Sequence, residues 1–141
     1  MSSIIFHWSV HSSLDNAHAQ KKLLARWNLT CKAFGITDLK CVSDNPDVDI
    51  TDAEITFTRF DTLSDALSSC TNELVFIELG GENINTFTHP TDATYIFGAD
   101  YGGMGLDMPV DATPLTINTN NLPLHSEIAC GIVLSHRFDN I

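Results

Sequence analysis

Six short apolar runs, set between stretches of helical periodicity, constrain this chain more than any other feature. They are "SIIFHWSV", "DLKCVS", "EITFTRF", "ELVFIEL", "ATYIF" and "PLTIN". Several are apolar on both faces, as strands are when a sheet is covered on two sides. Between the first two lies "NAHAQKKLLARWNLTCKAF", whose Leu23, Leu24, Trp27, Cys31 and Phe34 recur at helical spacing. Asn16 stands where an N-cap belongs, and Gly35 where a C′ residue stops a helix. "TLSDALSSC" predicts a short helix capped by Thr62 or Ser64, and Ile128, Ala129, Ile132 and Val133 mark one buried face of a terminal helix. Strands alternating with helices over short loops predict an α/β fold with a mainly parallel sheet flanked by helices. Ligands of such sheets sit beyond the carboxyl ends of the strands, here "ELGG", "FGADYGG" and "TINTNN". "GGEN" is expected to end the fourth strand, and "SDNPDVDITDAE" to form an acidic surface loop.

A chain of 141 residues, 43% of them apolar, predicts one globular domain over residues 1–141. No apolar run approaches the ~20 residues that span a bilayer. "MSSIIFHWSV" lacks the basic region and cleavage site of a signal peptide, so the expected location is the cytoplasm. Cys31, Cys41, Cys70 and Cys130 are widely spaced without a CxxC pair and read as reduced core residues. No metal is expected. On one strand His7 and His11 would stand about 13 Å apart, too far to clamp an ion.

The net charge of −11 argues against general nucleic-acid binding, yet the charge is unevenly spread. Residues 1–40 hold Lys21, Lys22, Arg26, Lys32 and Lys40 against Asp15 and Asp38. The remainder holds Arg59 and Arg137 against sixteen acids. A solvated helix face and a phosphate-facing one both account for the basic segment.

Two segments have the composition of ligand loops. "YIFGADYGGMG" follows a strand with four glycines, which permit tight turns or close backbone approach. It matches neither GxxxxGK[ST] nor GxGxxG, so a phosphate cradle is not expected. A plain turn and a loop offering backbone amides to a neutral or zwitterionic cofactor both remain open, with Asp100 its one acid. In "INTNNLPLHSEIA", Pro123 suits a first helical turn and Glu127 gains about 0.3–1 kcal/mol from the helix dipole. His125 beside Ser126 is not a nucleophile–base pair by adjacency, because helical neighbours point about 100° apart.

Taken together, three segments resemble the SPOUT superfamily, specifically its SpoU-type RNA ribose 2′-O-methyltransferases. "LTCKAFGITDL" is similar to the first motif, "HPTDATYIFGADYGG" to the second, and "LTINTNNLPLHSEIACGIVLSHRF" to the third. Within the third, "PLHSEIA" is most similar to the archaeal branch that methylates a T-loop cytidine of tRNA. The resemblance implies a C-terminal trefoil knot over roughly residues 95–141, an exception to the rule against threaded chains. It implies S-adenosylmethionine held by backbone groups around Leu79 and Gly80, Phe97 and Gly98, and Ile117 with Leu124 and His125. It also implies an RNA substrate, tRNA in particular, and a homodimer formed through the knot helices, with Ile128, Ile132 and Ser135 at the interface.

The chain departs from the family pattern in the first motif, where the usual arginine position holds Leu29. Arg26, one turn earlier, is the candidate catalytic cation, with Lys32 the second choice. Asp100 and Ser126 are candidates for orienting groups around the ribose, and Lys22 and Lys32 for contacting RNA. Loss of the first-motif arginine and asparagine leaves a second reading, a SPOUT-fold module that binds cofactor or RNA without catalysis. A flavodoxin-like small-molecule module is the third.

Overall fold

The computed structural model describes residues 1–8, 17–50, 53–98, 105–120, 122 and 124–141. Its first strand, β1 (Ser3–His7), sits at the centre of a six-stranded sheet and is buried on both faces. It pairs with β2 (Asp38–Val42) on one side and β5 (Ala93–Phe97) on the other. β3 (Thr56–Phe60) lies outside β2; β4 (Glu73–Asn83) lies outside β5 and is flanked by β6 (Thr113–Thr116). All five pairings are parallel, in the order β3-β2-β1-β5-β4-β6. The sheet grows outward from β1 through β2 to β3, then resumes on the other side. The junction of β1 and β5 is therefore the topological switch point, where open α/β sheets place ligands.

Alternating side chains divide the core. Ile4, Phe6, Tyr95 and Phe97 pack with the long helix α1 (Ala17–Ala33) and the terminal helix α3 (Ser126–Asp139). Ile5, Val42, Phe76 and Ile96 pack with the short helix α2 (Leu63–Ser68). Trp27 anchors the larger cluster. Its ring stacks on Phe6 at 4.3 Å and meets Phe97 edge-on at 5.8 Å, covering both strands of the switch point. Such pairs add about 0.5–1.5 kcal/mol each beyond the area they bury.

Helix boundaries follow local chemistry. Thr62, not Ser64, caps α2, its hydroxyl accepting from the Asp65 amide at 3.1 Å. Asn16, the expected cap of α1, lies outside the described residues, as does Pro123. α1 ends in a Schellman motif: the Ile36 amide bonds Cys31 oxygen at 2.9 Å and the Gly35 amide bonds Lys32 oxygen at 3.2 Å. Gly35 has φ +75°, the left-handed region the motif requires.

The fourth strand overturns one expectation. "GGEN" does not end it; β4 runs on to Asn83 through a wide bulge. Both Ile77 and Glu82 pair with Leu115, so residues 78–81 are extruded from the ladder. Gly80 adopts φ +89°, and Gly81 lies so close to β6 that a Cβ would stand 2.6 Å from the Pro114 carbonyl carbon. Glycine here permits a detour and a return to pairing, where larger residues would force termination.

The thiols behave as core residues. Cys31, Cys41 and Cys130 are buried, and all four cysteines are free. Burial pushes the Cys41 thiol up to about 12 against the opposing effect of Arg59. Cys130 is raised by burial and by the neighbouring Cys31 thiol of α1.

Nothing lies within 4 Å of a Cβ built on Gly35, so Gly35→Ala tests conformation alone. It should lower stability by about 1–2 kcal/mol, the left-handed penalty for an L-residue, with an unchanged m-value in urea unfolding.

Candidate active site

Six parallel strands end at the carboxyl edge of the sheet, and the predicted cofactor residues lie in the bulge of β4 and at or beyond the ends of β5 and β6. Phe97 ends β5 fully buried, and Gly98 follows it. A Cβ on Gly98 would stand 2.7 Å from the Phe76 ring and 3.1 Å from Leu106 oxygen. The Leu106 amide bonds Gly98 oxygen at 2.8 Å. Asp100, expected inside that loop, lies outside the described residues.

The bulge of β4 presents the second pair, Leu79 and Gly80. Leu79 is 51% exposed, an apolar side chain held outward by the detour. One β6 side chain braces it from beneath: the Thr116 hydroxyl donates to Glu78 oxygen at 2.7 Å and accepts from the Gly81 amide. The third group, Ile117 and Leu124, is half-buried against the main core beside the start of α3. His125 is the N-cap residue of α3 and makes no side-chain cap; Ser126 is its first helical residue.

The predicted cations separate. Arg26 projects from α1 toward the start of α3, with Nη1 3.8 Å from Glu127 Oε1. Glu127 is largely buried while Arg26 is mostly exposed, at 13% and 65% of their side-chain surfaces. The acid is thus the fixed partner and the guanidinium the reaching one. Lys22 is exposed one turn before Arg26 on the same side of α1. Lys32 is elsewhere: it pairs with Glu54, just ahead of β3, at the edge where the strands begin. Lys40 is buried against Asp38, so the basic segment keeps fewer free charges than its count suggests. Leu29, where the resemblance calls for arginine, is 66% exposed.

The loop segments 78–81, 98–106 and 117–125 contain no lysine or arginine, but they do contain Glu78 and Asp100. A polyphosphate would find no counter-charge there. The donor set is backbone groups, apolar contacts from Leu79, Ile117 and Leu124, and acids. Such a set fits a neutral or cationic organic ligand.

No family profile and no curated protein sequence matches the chain; the likeness is in three dimensions. The TrmH/SpoU tRNA modifying enzyme of A. aeolicus superimposes with a TM-score of 0.70 at 14% identity, covering 99% of this chain and 75% of that one. The SpoU methyltransferase AviRb of Streptomyces viridochromogenes, solved with AdoMet, gives 0.68 at 11% identity over 97% of this chain. An rRNA methyltransferase of Sinorhizobium meliloti gives 0.64 at 17% identity over 96%. The fold is that of the TrmH/SpoU RNA methyltransferases. This chain spans just over half the length of the latter two proteins, 56% and 54%.

Two supports of these loops, Glu127 and Thr116, carry no local signal in the sequence beyond the dipole benefit of Glu127, because each acts on an element distant in sequence. Thr116→Val should keep the side-chain volume yet leave the Gly81 amide unpaired, costing about 1–3 kcal/mol. Amide exchange should show it as lost protection at Gly81 with β1 and β2 unchanged.

Proposed function

We propose that this chain is an S-adenosylmethionine-dependent RNA methyltransferase acting on a ribose 2′-hydroxyl, with tRNA as substrate. The observation that carries the reading is the likeness of nearly the whole chain to TrmH/SpoU enzymes, AviRb with AdoMet among them. The loop chemistry agrees with it. A sulfonium cofactor is cationic at sulfur, and the loops bring acids and backbone groups without competing bases.

Bound S-adenosylmethionine supplies an electrophilic methyl group. The protein must then hold the ribose oxygen in line with it and stabilise negative charge as the hydroxyl loses its proton. In this reading Arg26 supplies that stabilisation, oriented by Glu127 at the start of α3. Lys22 contacts phosphate on the same side of the helix, and Asp100 and Ser126 orient the ribose. Lys32, at the opposite edge of the sheet, has no place in the catalytic group. The reading includes a trefoil knot over residues 95–141 and a cytoplasmic homodimer. In that dimer Ile128 and Ile132, 49% and 39% exposed on one side of α3, would meet their counterparts.

One observation favours the second reading, a binding module without catalysis: the exposed Leu29 in the arginine position. Radiolabelled methyl transfer to unmodified bulk tRNA, followed by nucleoside analysis, separates the two. The enzyme reading expects a 2′-O-methylnucleoside, and Arg26→Ala should lower kcat by about 10²–10³-fold with little change in cofactor affinity. Calorimetric binding of S-adenosylmethionine without methyl transfer to tRNA or rRNA would leave the binding module standing. Absence of S-adenosylmethionine binding at high micromolar concentration would sink the cofactor claim of both and leave only an RNA-binding module.

A further inference from the structure

At the opposite edge of the sheet lies a buried polar chain that the proposed chemistry does not use. His89, 8% exposed, precedes β5; its Nδ1 lies 2.7 Å from Tyr95 Oη, and its Nε2 lies 2.7 Å from His136 Nδ1. His136 and Arg137 belong to the last turn of α3. Arg137 Nη2 reaches Ser2 Oγ at 3.2 Å, and Ser2 Oγ also accepts from the Ala93 amide at 3.0 Å. The chain therefore joins the end of α3 to the feet of β1 and β5. We propose that His89 and His136 form a pH-operated latch that docks the C-terminal turns of α3 at neutral pH and releases them on acidification.

Both ring nitrogens of His89 are engaged, Nδ1 by the Tyr95 phenol and Nε2 by His136 Nδ1, each at 2.7 Å. One tautomer satisfies both contacts with His89 neutral: the phenol donates to Nδ1, and Nε2–H donates to His136 Nδ1. In that arrangement a further proton on His89 must go to Nδ1, the nitrogen that already accepts from the phenol. The ring is buried, so the cation it would become loses its hydration as well.

The surroundings offer an imidazolium no relief. The charges acting on His89 come from His136 and Arg137 of α3, and both oppose a cation there. Tyr95 faces it from β5 and stays protonated, its phenol pushed up to about 12 mainly by burial. Phe87 presents a ring edge at 5.0 Å. At the foot of β5, Asp92 is already paired with the N-terminal ammonium at 2.7 Å. Burial first, then His136 and Arg137, lower His89 from 6.5 to about 4. A released His89 regains its ordinary affinity for protons. Docking is thus at full strength above about pH 6.5 and weakens as pH falls toward 4. Release also reaches the helix end, because the His136 carbonyl holds the Asn140 side chain at 2.7 Å.

Amide exchange from pH 7.5 to 4.5, corrected for intrinsic rates, tests the latch on the whole chain. Residues 133–140 should lose protection by up to about tenfold per pH unit below pH 6.5, while α1 and β2 hold theirs. His89→Gln keeps a polar side chain between Tyr95 and His136 without titrating, and should abolish the loss. His89→Leu with His136→Leu should make protection independent of pH across this window. Loss at the same pH in wild type and His89→Gln would overturn the latch. So would a His89 ring that titrates near 6.5 in the folded protein by nitrogen-15 NMR.

Discussion

Trp27 is the contact on which the rest of the structure depends. Its indole bridges Phe6 of β1 and Phe97 of β5, the neighbours at which the sheet changes direction. A ring clamped over both strands fixes α1 against the switch point and so fixes where Arg26 can reach. The same face receives α3 through Cys31 and Cys130, and the two helices run alongside each other from Arg26–Glu127 to Phe34–Phe138. One hydrophobic layer thus sets the distance between the cation of α1 and the loop that begins α3.

The two ends of α3 do different work. Its start joins the carboxyl-edge loops, where backbone groups and acids dominate and strong bases are missing. Its end is tied by Arg137, His136, His89 and Tyr95 to the opposite edge. A helix held at one end by a polar chain and along its length by apolar packing is well placed to present His125 and Ser126 steadily. The bulge of β4 is built on the same economy: two glycines permit it, and one threonine hydroxyl holds it.

Much of this was legible in local patterning. The six apolar runs became the six strands, and the stripe from Leu23 to Phe34 became the buried side of α1, because periodicity reports burial directly. Gly35 announced the helix end because a positive φ has few other tenants. The glycines of "ELGG" were legible as a break but not as a bulge, since only pairing with Leu115 on both sides of the detour shows that the strand resumes. Lys32 and Arg26 look alike along the helix; their pairing with Glu54 and Glu127 sets them against different elements.

The sequence by itself determined the element types, the α/β class, the unpaired state of the cysteines and the absence of strong bases from the ligand loops. These are properties of composition and short-range spacing. Tertiary structure decided the strand order, the course of β4, which basic side chains face the candidate site, and the histidine–tyrosine chain at the far edge. Each of those rests on contacts between residues tens of positions apart. His89 and His136 are separated by 47 residues yet meet at 2.7 Å, and no local pattern encodes that meeting.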